Sequence, residues 1–229
     1  MNSTRARSSI DALRTRVCDA NKALVTHRLV TGTSGNVSAR DENTGYVVIK
    51  PSGVAFEHLT PAAMVVVDTD GNIIDGDLRP SVDTTSHLVV YRELPRVNGI
   101  VHTHSPYATS FAVRGEPIPI CTTTSAAYFA RAIPVSGFAV IGEEAIGREI
   151  VEHIGDGAAV LIRNHGPFTV GTTPEEALKY AVVLEETAEV THLAMLRGSV
   201  VPLSDETIEH GRRVFLEGYG QTPSGGKRP

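Results

Sequence analysis

The sequence predicts an α/β protein in three layers, with helices on both sides of a central sheet that is mostly antiparallel or mixed. Three observations carry this. Short β-branched runs alternate with longer segments of helical apolar spacing, the pattern of helices packed on a sheet. One pair of runs is joined at Asp70-Gly71, a dipeptide that favours tight hairpins and therefore antiparallel pairing. The 229 residues are 41% hydrophobic and 21% charged, which suits one globular core burying about 70–75% of the unfolded surface. Residues 1–229 read as a single domain, with 222–229 as a flexible tail.

The elements follow in chain order. "SSIDALRTRVCDANKALVTHRLV" opens on a serine cap, and Ile10, Leu13, Val17, Ala20 and Leu24 recur at helical spacing. "TGTSGNVSARD" has two glycines and small polar residues, and reads as a loop. "GYVVIKPSG" is a short strand stopped by Pro51 and Gly53. "AMVVVDTDGNIIDGD" is the hairpin. "SVDTTSHLVVYRELP" begins with capping residues and stops at Pro95, as a helix does. "GIVHTHS" is a strand and "PYATSFAVRG" a helix with Pro106 in its first turn. "PIPIC" and "AIPVS" are short strands, and "GEEAIGREIVEHIG" is a helix. "AAVLIRNHG" is a buried strand with "FTVG" as its continuation. The longest helix starts at Thr173, whose spacing to Glu176 forms a capping box, and ends near Gly198. "LSDETIEHGRRVFLEGYG" is the last helix.

Composition narrows the function. A net charge of −5 lacks the basic face that a nucleic-acid binder needs. No apolar run reaches the roughly 20 residues that span a bilayer. The first residues carry scattered charges and no apolar core, unlike a secretory signal. Cys18 and Cys121 are the only cysteines and have no metal-binding spacing, so free thiols in a cytoplasmic setting are expected.

The histidines carry the chemistry. His102 and His104 stand two apart at the end of a strand, where alternate side chains share a face. By themselves they fit a hydrogen-bonded buried pair as well as a metal site. His165, after the apolar run "AVLI", supplies a third imidazole, and three neutral imidazoles with an open position suit a catalytic zinc. Asp83 stands where a helix cap would, with His87 one turn later on the same face. "TSGNVS", "PSG" and "RPS" offer hydroxyls and backbone N–H groups that suit an oxyanion.

Taken together, "GTSGNVSARD", "IKPSGV", "MVVVDTDG", "RPSVDTTSHLVVYRELPRVNGIVHTHSPYAT", "RNHGPFTVG" and "YGQ" run in the order of the class II aldolase and adducin-head family. From about residue 10 to 221 the chain resembles its L-ribulose-5-phosphate 4-epimerase and L-fuculose-1-phosphate aldolase group. The resemblance implies the class II aldolase fold and a Zn2+ ion, or Mn2+ or Co2+ in its place, held by His102, His104 and His165. Asp83 is implied as a further ligand or the base. It implies a phosphate pocket of Gly35, Asn36, Lys50, Ser52, Gly53 and Ser81, and a catalytic Tyr219 reaching a neighbouring subunit's site in a homotetramer. The expected substrate is a small sugar phosphate, cleaved by retro-aldol chemistry through a metal-stabilised enediolate. Lys50 is not expected to form a Schiff base, which needs a buried amine of lowered pKa.

The departures bear on the reaction. Val82 replaces the second serine of the phosphate pocket. The epimerase pattern "GTTHADYFYG" reads "TTTSAAYFAR" here, with Ala127 in place of its aspartate and Ser125 in place of its histidine. Thr122 and Thr123 stand where fuculose aldolases have a tyrosine. Losing one acid/base hurts inversion more than cleavage, so the residues favour an L-fuculose-1-phosphate aldolase-like lyase. An L-ribulose-5-phosphate 4-epimerase-like isomerase, or a decarboxylase of a 3-keto sugar acid phosphate, is the alternative.

Overall fold

The structure is a computed structural model and describes residues 3–218. One antiparallel sheet organises it, in the order β4-β3-β2-β1-β5-β7-β6. The strands are β1 (Asn36–Arg40), β2 (Val47–Ile49), β3 (Val65–Val67), β4 (Ile73–Asp75), β5 (Gly99–His102), β6 (Ala159–Ile162) and β7 (Gly166–Gly171). The helices are α1 (Ser3–Thr26), α2 (Thr84–Glu93), α3 (Pro106–Arg114), α4 (Thr123–Tyr128), α5 (Ala145–Ile154), α6 (Pro174–Met195) and α7 (Asp205–Gly218).

Both faces of the sheet are buried except at the exposed edge strand β4, which is why β2, β3 and β6 read as near-continuous apolar runs. Val48, Val66 and Val101 pack with α1 and α6 on one face. Val47, Ile49, Val65 and Val67 alternate with them and pack with α2 and α5 on the other. Each set is a layer boundary, so the three-layer α/β/α expectation holds. A third cluster joins α3, α4, α6 and α7 to Leu161. No described helix is long and apolar enough to cross a membrane.

Several readings change. "NVSAR" is strand β1 rather than loop; Val37 and Ala39 enter the core while Asn36 and Ser38 face α2, so its polar half masked the alternation. "FTVG" does not continue the strand before it. It belongs to β7, which folds back on β6 with Ile162 opposite Gly166, and Asn164 takes the left-handed conformation in the turn (φ 58). "PIPIC" and "AIPVS" make only isolated bridges, Ile118 to Ile133 and Val135 to Leu161. Helix α4 falls where the sequence predicts no element. Helix α1 starts before its expected serine cap; Ser9 Oγ instead donates to Asp41. At α6, Thr173 Oγ1 accepts from the Glu176 N–H at 3.1 Å, but the Glu176 carboxylate takes the N–H of Thr172, one residue before the cap.

Candidate active site

Strand β5 delivers His102, and the chain leaves the sheet before His104. The shared-strand argument therefore places only the first ring. The second is placed by its own partner: His104 Nδ1 lies 2.8 Å from Ser34 Oγ. The Nδ1–H of His102 donates to the Pro167 carbonyl at 3.0 Å, which leaves Nε2 as a bare lone pair. The two Nε2 atoms face each other at 3.1 Å. His165 sits in the β6–β7 turn, its ring centre 4.7 Å from that of His102 and 4.9 Å from that of His104. Gly166 permits this approach: a Cβ there would lie 2.5 Å from the Thr103 carbonyl oxygen and 3.0 Å from His104 Cδ2.

The ligand nitrogens of the three rings lie within 4.8 Å of one another, the one such group among the described residues. His165 Nδ1 is buried with no hydrogen-bond partner. Tetrahedral zinc with bonds of about 2.0–2.1 Å brings its nitrogens to about 3.3 Å, close to the spacing of the two facing Nε2 atoms. Burial lowers the pKa of all three rings, that of His102 to about 3, so they are neutral ligands at neutral pH. The donor set fits a divalent cation.

Asp83 precedes α2 at its cap position, yet its side chain caps nothing. Its Oδ2 accepts from Asn36 Nδ2 at 2.7 Å. Burial works against its charge, but the His102 and His87 imidazoles and the Asn36 amide outweigh it and hold the carboxyl below its usual range. Asp83 is not one of the three-histidine group, but it lines the same cavity as those rings.

The residues expected to hold the phosphate meet at one place. Gly35, Asn36, Lys50, Ser52, Gly53 and Ser81 line one cavity of about 350 Å³ with Asp83 and the three histidines. Two backbone bonds bring its loops together, Ser52 N–H to the Arg79 carbonyl (2.9 Å) and Ser81 N–H to the Lys50 carbonyl (3.0 Å). Lys50 is more buried than its loop position suggested: it is 2% exposed, and burial lowers its pKa. Its ammonium donates to the carbonyls of Thr33 (3.2 Å) and Pro51 (3.4 Å) and lies over the Phe56 ring. Val82 lines the same cavity, joined by Ile141, which no motif flagged. Ser125 completes a capping box with Thr122, and Ala127 faces a different cavity, between α4 and α7. Tyr219 lies outside the described residues.

A trio of neutral imidazoles running from buried His102 to exposed His104, a carboxylate held ionised beside it and a hydroxyl-rich cradle define a metal-dependent enzyme of the class II aldolase kind. Residues 15–192 match the model of the Class II Aldolase and Adducin N-terminal domain, and the chain belongs to that family. It is 40% identical over 227 residues to the L-ribulose-5-phosphate 4-epimerase UlaF of Salmonella paratyphi C, covering 91% of this chain and 98% of that protein. Its fold matches a solved L-fuculose 1-phosphate aldolase with a TM-score of 0.85 at 28% identity, over 90% and 96% of the two chains. The L-fuculose-1-phosphate aldolase of Thermus thermophilus matches with 0.69 at 27% identity, over 86% and 100%. The relative with the higher identity supports the epimerase alternative better than the fuculose aldolase reading.

Proposed function

We propose that the protein is a divalent-metal-dependent enzyme that breaks and remakes a carbon–carbon bond of a ketose phosphate, acting as an L-ribulose-5-phosphate 4-epimerase. The observation that carries this is the convergence of His102, His104 and His165 beside Asp83 and the cradle. The 40% identity to an epimerase supports this reaction over the family's others. Zinc, or manganese or cobalt in its place, suits three imidazole nitrogens.

When bound, the cation supplies Lewis-acid polarisation of the ketose carbonyl. His102, His104 and His165 hold it without cancelling its charge. The cradle holds the phosphate and so fixes the sugar's reach. Asp83, kept ionised, accepts a hydrogen bond or proton from a substrate hydroxyl. Tyr219 exchanges a proton with the oxygen that becomes the aldehyde, in a tetramer whose neighbouring subunit completes each site. A cytoplasmic location fits this small soluble substrate.

A second reading, cleavage without inversion, has its own support. Ala127 offers no proton where the epimerase pattern has aspartate, and Ser125 is committed to its capping box. One assay separates the two. L-Ribulose 5-phosphate is incubated with the metal-loaded protein and the products are identified. The C4 epimer is the expected product. Accumulation of dihydroxyacetone and glycolaldehyde phosphate instead would establish the cleavage reading. No turnover of any member of a panel of ketose 1- and 5-phosphates would sink both.

A further inference from the structure

Two of the three imidazoles are held by the sheet itself. His102 ends β5, opposite Asn36 of β1 and Phe168 of β7. His165 belongs to the tight β6–β7 turn, where its N–H donates to the Ile162 carbonyl at 3.0 Å. His104 has no such support. It lies in the link between β5 and α3, two residues before that helix begins at Pro106. What fixes the start of α3 therefore fixes one side of the His104 backbone.

The first turn of a helix leaves its backbone N–H groups without helical partners. In α3 they can be followed one by one. Pro106 has no N–H to donate. Thr109 N–H returns to the Ser105 carbonyl at 3.0 Å. Ser105 stands at the cap position, but its side chain makes no capping bond. A carboxylate from another helix does that work. Glu185 of α6 accepts the Tyr107 N–H at 2.8 Å through Oε1 and the Ala108 N–H at 2.9 Å through Oε2. A carboxylate also suits the positive end of the helix dipole. Glu185 is well anchored, since Leu184 and Ala188 on either side of it are buried in the cluster that holds Ala108 and Phe111 of α3. Ser105 is 2% exposed, so the link from the helix back to His104 has little room to slide. On the other side Gly166 backs the link, and a Cβ there would lie 3.5 Å from His104 Cα.

We propose that Glu185 is a positioning residue for the cation site: by holding the first turn of α3 it sets where His104 stands relative to His102 and His165. The inference rests on the proposed cation site, and not on which sugar reacts. It assigns a part in metal binding to a side chain that lines no part of the cavity.

Cobalt(II) gives the test. It is titrated into the metal-free full chain, and its affinity and visible absorption bands are read beside the thermal midpoint of the metal-free protein. Glu185→Gln keeps one accepting oxygen and turns an amide NH2 toward the other backbone donor. It should weaken cobalt binding about 10-fold, as loss of a partner behind a metal ligand does, and shift the bands. Glu176→Gln is the control. Glu176 Oε2 also accepts a backbone N–H beside a helix start, that of Thr172 at 2.7 Å, but at the opposite end of β7 from the histidines. Its loss should leave cobalt affinity within about 3-fold of wild type, whatever it does to the midpoint. Equal losses of affinity in the two variants, or unchanged affinity and bands in Glu185→Gln, overturn the proposal. If Glu185→Gln does not fold, Glu185→Asp, which keeps the carboxylate but draws it back by one methylene, is read by the same criteria. A wild-type protein that binds no cobalt overturns the cation site and this inference with it. One that binds cobalt but turns over no ketose phosphate overturns only the reaction proposed above, and the Glu185 comparison is then read on cobalt alone.

Discussion

His87 and His102 stay neutral at pH values where a surface histidine would be charged, because burial lowers their pKa values to about 4 and about 3. The unfolded chain has no such burial, and its histidines titrate near 6.5. Between these values the unfolded state binds more protons than the folded state, so stability falls as pH drops from about 6.5 toward 4 and is level above. His87 alone should cost about 2 kcal/mol at pH 5 relative to pH 7.5, and His102 adds to it. The depressed pKa of Asp83 acts in the same direction but only below about pH 4. Urea midpoints of the metal-free protein check this. Equal midpoints at pH 5 and pH 7.5 would mean that these rings are wet in the folded state.

Helix α2 carries His87 and follows directly on its cap residue Asp83, so what holds α2 holds the site. Its neighbour α5 approaches it at Gly147, where an added Cβ would lie 2.6 Å from Val89 Cβ and 2.7 Å from the Ser86 carbonyl oxygen. On an exposed helix, glycine to alanine stabilises by about 1 kcal/mol. Here Gly147→Ala should instead destabilise by about 1–3 kcal/mol, because the new methyl overpacks a closed contact. It should also weaken divalent-metal binding, since α2 must move. A raised thermal midpoint would show that the two helices part freely. At this scale the sequence was legible where one force set the pattern. Helices α5 and α6 and the hairpin at Gly71 followed from apolar spacing and turn chemistry. Strand β1 did not, because Asn36 and Ser38 spend a whole strand face on polar contacts with Asp83 and His87. The break between β6 and β7 did not either, because a reversal at Asn164 needs neither proline nor a glycine pair.

Across the whole molecule, the site collects side chains from Ser34 to His165 at the end of the sheet where β1 begins, β5 ends and β7 begins. The histidines and the cradle could be named from the sequence because each lies in a short motif. Ile141 and Ser38 could not, since only tertiary packing gives them a place near the cavity or beneath it. The same geometry makes a bound cation a clamp between distant parts of the chain. An unfolded chain does not hold the three imidazoles together, so the ion binds the native state and stabilises it by mass action. At a free concentration 100 times its dissociation constant the gain is about 2.7 kcal/mol, which for a chain of this size raises the thermal midpoint by about 5–10 °C. Zinc added to chelator-stripped protein should produce that rise. His104→Ala should unfold near the midpoint of the stripped wild type and gain less than about 2 °C from zinc. A full shift in the variant would place the stabilising ion somewhere other than these three rings.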